Sequence, residues 1–491
     1  MTSIVLQADN LTVRMNGNIL LDKISFAINQ GEQWAILGKS GTGKTTLLKA
    51  LAGIQYYQGS LMVNSNIIPS QNITFVEQQH HFKNLSNTNR FYYQQRFNSA
   101  DSEDSISVFE DLNNYISTRD KSPTTIQQEL LDMVKLFHLE KLLDERLIQL
   151  SNGENKRLQI AKALLSKPDI LLLDNPFIGL DVEAREILEK VLSKIASAGI
   201  HTIVSTSHEE LPHFVTHVLT LHEDRSFTKS PIGLFLKNRV KVTDDNSLQF
   251  DNKLFLELIS YGSSEEFTNA VIMDQVRIEY NGRKILDNIN WQVKKGERWS
   301  LSGPNGAGKS TLLSLVNADN PQAYANKIFL FDRRRGTGET IWDIKKKIGY
   351  ISPELHLHFE GSDNCFQVVA SGLFDTIGLF RQLHETHIEL VNQWMQLLNI
   401  HHLAEKMLFR LSNSEQRLVL LARALVKNPP MLILDEPCQC LDDVQIVSFK
   451  SLINEICIAG NKTLIYVSHY PHEIPECVNQ FLRLENGRRV N

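Results

Sequence analysis

Two stretches of this sequence carry residues able to hold a polyphosphate. Gly38-Lys39-Ser40-Gly41-Thr42-Gly43-Lys44-Thr45-Thr46 and Gly303-Pro304-Asn305-Gly306-Ala307-Gly308-Lys309-Ser310-Thr311 both fit G-x-x-x-x-G-K-[ST]. Glycines let the backbone wrap tightly, so that successive N–H groups point inward as an anion nest. The helix that follows turns its positive end toward the same phosphates. Lys44 and Lys309 would place a point charge on the β- and γ-phosphates, and the Thr45 and Ser310 hydroxyls would face Mg2+. The implied chemistry is nucleoside triphosphate binding, twice.

Carboxylates complete the pattern. Asp174 ends the apolar run "ILLLDNPF" and Asp435 ends "MLILDEPC". A buried strand that delivers an aspartate at its carboxyl end sets it beside the phosphate loop of a parallel sheet, where it can bind Mg2+. The next residue differs between the two phrases. Glu436 can accept a proton from an attacking water, whereas Asn175 can only orient one.

The elements that must position these groups also come in pairs. "GKSGTGKTTLLKAL" returns as "GPNGAGKSTLLSLV", "LSNGENKRLQIAKALLSKPDILLLDNP" as "LSNSEQRLVLLARALVKNPPMLILDEP", and "TIVSTSHEELP" as "TLIYVSHYPHE". The offset between copies stays nearly constant, so two copies of one domain are expected. Each copy opens with alternating β segments and then gives strand, glycine loop and helix. A long amphipathic helix, an apolar strand and a last strand with histidine follow. That order predicts an α/β fold with a parallel sheet. The expected division is a first domain over 1–225, a joint over 226–268 with a short helix near 250–260, and a second domain over 269–491.

A length of 491 residues calls for two or three domains. With a net charge of −5, nothing global favours a nucleic-acid backbone or an anionic membrane. No run approaches the roughly 18 apolar residues of a spanning helix, and "MTSIVLQADNLTV" does not read as a signal peptide. Cys365, Cys438, Cys440, Cys457 and Cys477 form no C-x-x-C pair and are expected as reduced thiols. A cytoplasmic protein is expected, with any membrane part supplied by another chain.

At "LSNGE" (150–154) and "LSNSE" (411–415) the sequence resembles the ATP-binding cassette ATPases, whose signature is LSGGQ. The resemblance covers nearly the whole chain outside the joint. It implies two tandem P-loop nucleotide-binding domains, each with a mostly parallel core sheet, an antiparallel β subdomain and a helical subdomain. It further implies that the copies pair head to tail, each ATP lying between one phosphate loop and the opposite signature, here Ser151 and Gly153 or Ser412. Tyr280 matches the aromatic that stacks on adenine, where the first copy has Met15. Gln78 matches the glutamine that helps hold Mg2+; the second copy has Pro353 there, followed by Glu354. His208 and His469 match the histidine that contacts the γ-phosphate.

On that pairing, Asn175, Met15 and Ser414, which replaces a signature glycine, collect in one site. Glu436, His469, Tyr280 and Gly153 collect in the other, with Pro353 against the division. The expectation is one site that holds ATP and one that hydrolyses it. "FDRRRGTGETIWDIKKKIGYISPELHLHF" (331–359) resembles the ModF proteins, associated with molybdate uptake. That implies an ATPase for oxyanion import, peripheral on a membrane permease gripped near "CFQVVASGLF" and "RFYYQQRF". The alternative is a soluble regulatory, repair-linked or ribosome-associated factor. Arg333 to Arg335 read as a solvated basic turn.

Overall fold

The computed structural model describes residues 3–15, 17–63, 66–67, 73–78, 105–117, 123–147, 150, 152–208, 210–237, 251–260, 266–280, 282–353, 355, 359, 363–439 and 441–490. The chain divides into two compact units that meet in sequence at Val242 and Thr243. The joint read from sequence is therefore partly absorbed. Phe227–Pro231 pairs as a strand with His217–Leu221 in the first unit, and the helix Asn252–Ser260 packs within the second.

In the first unit the strands are β1 (Ile4–Met15), β2 (Asn18–Asn29), β3 (Trp34–Gly38), β4 (Gln58–Val63), β5 (Asn66–Ile67), β6 (Ile73–Val76), β7 (Ile170–Asp174), β8 (His201–Ser205), β9 (His217–Leu221) and β10 (Phe227–Pro231). They form an antiparallel sheet ordered β2-β1-β4-β5 and a core sheet ordered β10-β9-β3-β8-β7-β6. Among the described residues, only β10 runs antiparallel in the core sheet. Strands β7 and β8 are buried along their whole length, as expected for a parallel sheet covered on both faces.

The second unit repeats this plan with β11 (Asn269–Tyr280), β12 (Arg283–Lys294), β13 (Arg298–Ser302), β14 (Lys327–Leu330), β15 (Arg333–Arg334), β16 (Ile348–Ile351), β17 (Met431–Asp435), β18 (Thr463–Val467), β19 (Gln480–Glu485) and β20 (Arg488–Val490). Its sheets are ordered β12-β11-β14-β15 and β16-β17-β18-β13-β19-β20, the same neighbours in the same relation. Helices Cys365–Ser371, Glu385–Leu397 and Asn413–Leu425 enclose a core around Trp394, Val391 and Leu420.

This topology gathers the chemistry at one edge. Strands β3 and β13 lie centrally and feed the two phosphate loops, while β7 and β17 lie two strands away, beyond β8 and β18. Because these strands are parallel, their carboxyl ends share one side of the sheet, where α/β proteins bind ligands. Asp174 pairs in register with Ser205, and Asp435 with Val467.

Candidate functional site

The phosphate loops require their glycines. Gly38 has φ 147°, and a Cβ there would lie 2.6 Å from the Leu221 carbonyl oxygen and 2.7 Å from Thr42 Oγ1. Gly303 holds the same conformation at φ 143°, where a Cβ would strike the Leu484 carbonyl. Gly43 and Gly308, at φ 99° and 98°, precede the helices Lys44–Leu51 and Lys309–Val316. Gly41 and Gly306 are also left-handed. Each lysine folds over its own loop. Lys44 Nζ donates to the carbonyls of Gly38 (2.6 Å) and Lys39 (2.9 Å), and Lys309 Nζ to those of Gly303 (2.7 Å) and Pro304 (3.0 Å).

Asp174 is 3% exposed and fixed at both oxygens. Thr45 Oγ1 donates to Oδ2 at 2.9 Å, and Ser205 Oγ donates to Oδ1 at 2.6 Å. In the second unit Asp435 is half-buried, and its register partner is Val467. The residues that follow share one backbone shape. Asn175 has φ 43° and Glu436 φ 44°, and their N–H groups donate to the carbonyls of Ser205 and Val467. Asparagine tolerates the left-handed region, whereas a glutamate held there carries strain of about 1 kcal/mol or more.

Their side chains do opposite things. Asn175 Nδ2 donates to Gln78 Oε1 at 3.2 Å and to Asp174 Oδ1 at 3.3 Å. Glu436 Oε1 lies 3.0 Å from His469 Nε2. Burial pushes the Glu436 carboxyl up, but the adjoining His469, with Lys309 and Arg417, outweighs burial and holds it below the ordinary carboxylate value. The first unit's histidine is occupied differently, since His208 stacks on Phe235 with ring centroids 5.4 Å apart.

Residues that sequence reading missed tie these loops together. Lys156, on the helix Asn152–Leu165, donates to the carbonyls of Glu77 (2.8 Å) and Gln78 (2.9 Å). Burial lowers its pKa to about 8, with Asp174 and Glu77 opposing the shift. Arg417 takes the same place in the second unit, donating to the carbonyls of Ser352 (3.0 Å) and Pro353 (3.3 Å). The available signal was a basic residue at the same step of both signature helices.

Tyr280 is half-buried, and its hydroxyl accepts from Asn320 Nδ2 at 2.9 Å. Met15, at the corresponding place, is 46% exposed, and its sulfur lies 3.9 Å from Thr46 Oγ1. Ser412 caps the helix Asn413–Leu425 with Glu415 in a capping box, and the buried Ser414 turns its hydroxyl 3.2 Å from that of Ser412. Gly153 is buried at the start of the matching helix. Ser151, Glu354, Cys440 and "RFYYQQRF" lie outside the described residues.

One sequence reading changes in the structure. Arg335 is not part of a solvated turn. It is 3% exposed and pairs with Glu339 at 2.7 Å, while Arg333 and Arg334 remain at the surface. In the "CFQVVASGLF" stretch, Cys365, Val368, Val369, Ala370 and Ser371 are buried, while Phe366, Gln367, Leu373 and Phe374 are half-buried.

The donor set suits Mg2+. Hydroxyl and carboxylate oxygens converge at Thr45 and Asp174, and hard oxygen ligands with most positions left to phosphate and water are what this cation takes. Ser310 and Asp435 offer the same oxygen types in the second unit.

Twin phosphate loops, each beside a strand-end aspartate on a mostly parallel sheet, define a P-loop nucleotide-binding protein with two cassettes in tandem. The profile of the ABC transporter family matches residues 21–178 and again 286–439. The chain is 35% identical over 482 residues to the ABC transporter ATP-binding protein ModF of Escherichia coli, covering 96% of this chain and 95% of that one. It is 31% identical to an uncharacterized ABC transporter ATP-binding protein of Schizosaccharomyces pombe, covering 96% of each. Among solved structures, a model of ribosome-bound archaeal Pelota and ABCE1 matches with TM-score 0.61 and 19% identity, over 98% of this chain and 78% of that one. This likeness concerns the fold. The chain belongs to the ABC transporter ATP-binding family and is a tandem-cassette ATPase.

Proposed function

We propose that the two nucleotide sites are unequal, the first retaining ATP and the second hydrolysing it. The observation that carries this reading is the partner of the residue after each aspartate. Glu436 meets His469 at 3.0 Å, whereas Asn175 is bound to Gln78 at 3.2 Å and His208 is stacked on Phe235. In the second unit, Lys309 and the loop amides hold the triphosphate and Tyr280 supports the adenine. Glu436 takes the proton of the attacking water, and His469 orients Glu436 and meets the γ-phosphate. Ser310 and Asp435 would hold Mg2+, whose charge would offset that of the phosphates. In the first unit Thr45, Asp174 and Gln78 hold metal and nucleotide, but Asn175 accepts no proton.

Nucleotide content after incubation with Mg2+ and ATP and removal of free nucleotide tests the division. One retained ATP per chain with turnover at the other site is expected, and two ADP per chain would overturn it. The likeness along both chains to the ABC transporter ATP-binding protein ModF supports use of this cycle by a transport system, and the proposed cargo is an oxyanion such as molybdate. Isolation of the tagged protein with its native membranes tests that step. A copurifying integral membrane protein supports it, and recovery with ribosomes or alone favours a non-transport role.

A further inference from the structure

The second unit lacks the glutamine that the first places at the end of β6, yet the two loops which that glutamine joins remain joined. In the first unit the tie is direct: Gln78, just beyond β6, accepts from Asn175, just beyond β7. In the second unit Pro353 stands at the glutamine position and offers no side-chain amide. Arg417 donates there to the Pro353 carbonyl (3.3 Å) and also to Gln439 Oε1 (3.2 Å), in the loop after β17.

Gln439 corresponds to Ile178, four residues beyond the aspartate in each copy. The local turn is the same, with Gln439 N–H donating to the Glu436 carbonyl at 3.2 Å and Ile178 N–H to that of Asn175 at 3.3 Å. The first copy thus writes glutamine and isoleucine where the second writes proline and glutamine. We infer that the amide has been relocated, and that Gln439, held by Arg417, is the positioning residue that keeps the Glu436 loop in register with the end of β16.

The cation differs for a physical reason. Lys156 is a point charge that reaches the two carbonyls of Glu77 and Gln78. A planar guanidinium reaches further acceptors in fixed directions, so Arg417 spans Ser352, Pro353 and Gln439 together. Because guanidinium only donates, it must be the Gln439 oxygen that faces it, which sets the orientation of the amide. Gln439 acts on the reaction through this chain of contacts.

The inference rests on the Glu436 site being the hydrolytic one. Gln439→Ile, Arg417→Lys, their combination and the Pro353→Gln/Gln439→Ile pair are compared in the full chain by ATPase kinetics. Gln439→Ile should lower kcat about tenfold with little change in KM, the size expected for losing a hydrogen bond to a charged donor. Arg417→Lys keeps the carbonyl contacts, as Lys156 does, and should cost about the same. The double variant should cost no more than either change alone, and restoring glutamine at 353 should recover most of the rate. Full activity in Gln439→Ile, multiplicative losses in the double variant, or no recovery with Pro353→Gln in a folded chain would each overturn the tie. Glu436→Gln is run alongside. If it still turns over, the assignment of the site fails. If it is inactive while Gln439→Ile is not, the tie fails alone.

Discussion

Glu436→Gln replaces one oxygen by an amide and changes little in volume. The carboxyl it removes has its pKa held below the ordinary value because His469, Lys309 and Arg417 outweigh burial. The base is therefore fully ionised at neutral pH, and its whole contribution should be lost, about 10²–10⁴ in kcat. ATP binding should survive, because Lys309 and the loop amides are untouched. The reciprocal change, Asn175→Glu, should not create a second active site. A carboxylate there would lose two donor contacts and meet Gln78 Oε1 and Asp174 Oδ1, acceptors now 3.2 and 3.3 Å from Asn175 Nδ2. Two carboxylate charges at that range repel by about 5 kcal/mol at an effective dielectric of about 20, enough to protonate one or turn it away. The assay is steady-state phosphate release beside nucleotide binding for both single variants and their combination. Glu436→Gln keeping more than about a tenth of the rate, or Asn175→Glu restoring turnover in its absence, would refute the reasoning.

Other consequences are open to measurement. Gly38→Ala should abolish nucleotide binding at the first site and lower the thermal midpoint, because the new Cβ would meet the Leu221 carbonyl at 2.6 Å in a backbone shape that L residues rarely adopt. Tyr280→Ala should weaken ATP binding at the second site by about 1–3 kcal/mol, read by titration calorimetry, while Met15→Ala changes the first site less. Lys156 has a folded pKa of about 8, below its unfolded value of 10.5, so the unfolded chain binds the extra proton between these limits. Its contribution to stability should therefore rise as pH increases from 8 to 10.5, and denaturant melts of Lys156→Met should lack that increment. Ser412→Ala should remove the helix cap and cost about 0.5–2 kcal/mol in the same melts.

Local chemistry made much of this protein legible before any fold was seen. The glycine–lysine loops, the apolar runs ending in Asp174 and Asp435, and the repeated order of segments depend on neighbours in the chain. Backbone freedom, strand burial and helix starts are short-range properties. The antiparallel strand β10 was not legible, because it depends on what another segment offers in space; Glu339 lies only four residues beyond Arg335, but the burial of Arg335 comes from other segments such as that of Tyr324. The same holds for the functional groups. Asn175 and Glu436 differ visibly in sequence, but only the folded sheet gives the first Gln78 and the second His469, from residues far along the chain. Likewise Pro353 reads as a loss until folding brings Arg417 and Gln439 to it. For these long-range pairs, which atoms meet is decided by strand order and register, and no single stretch of sequence contains both partners.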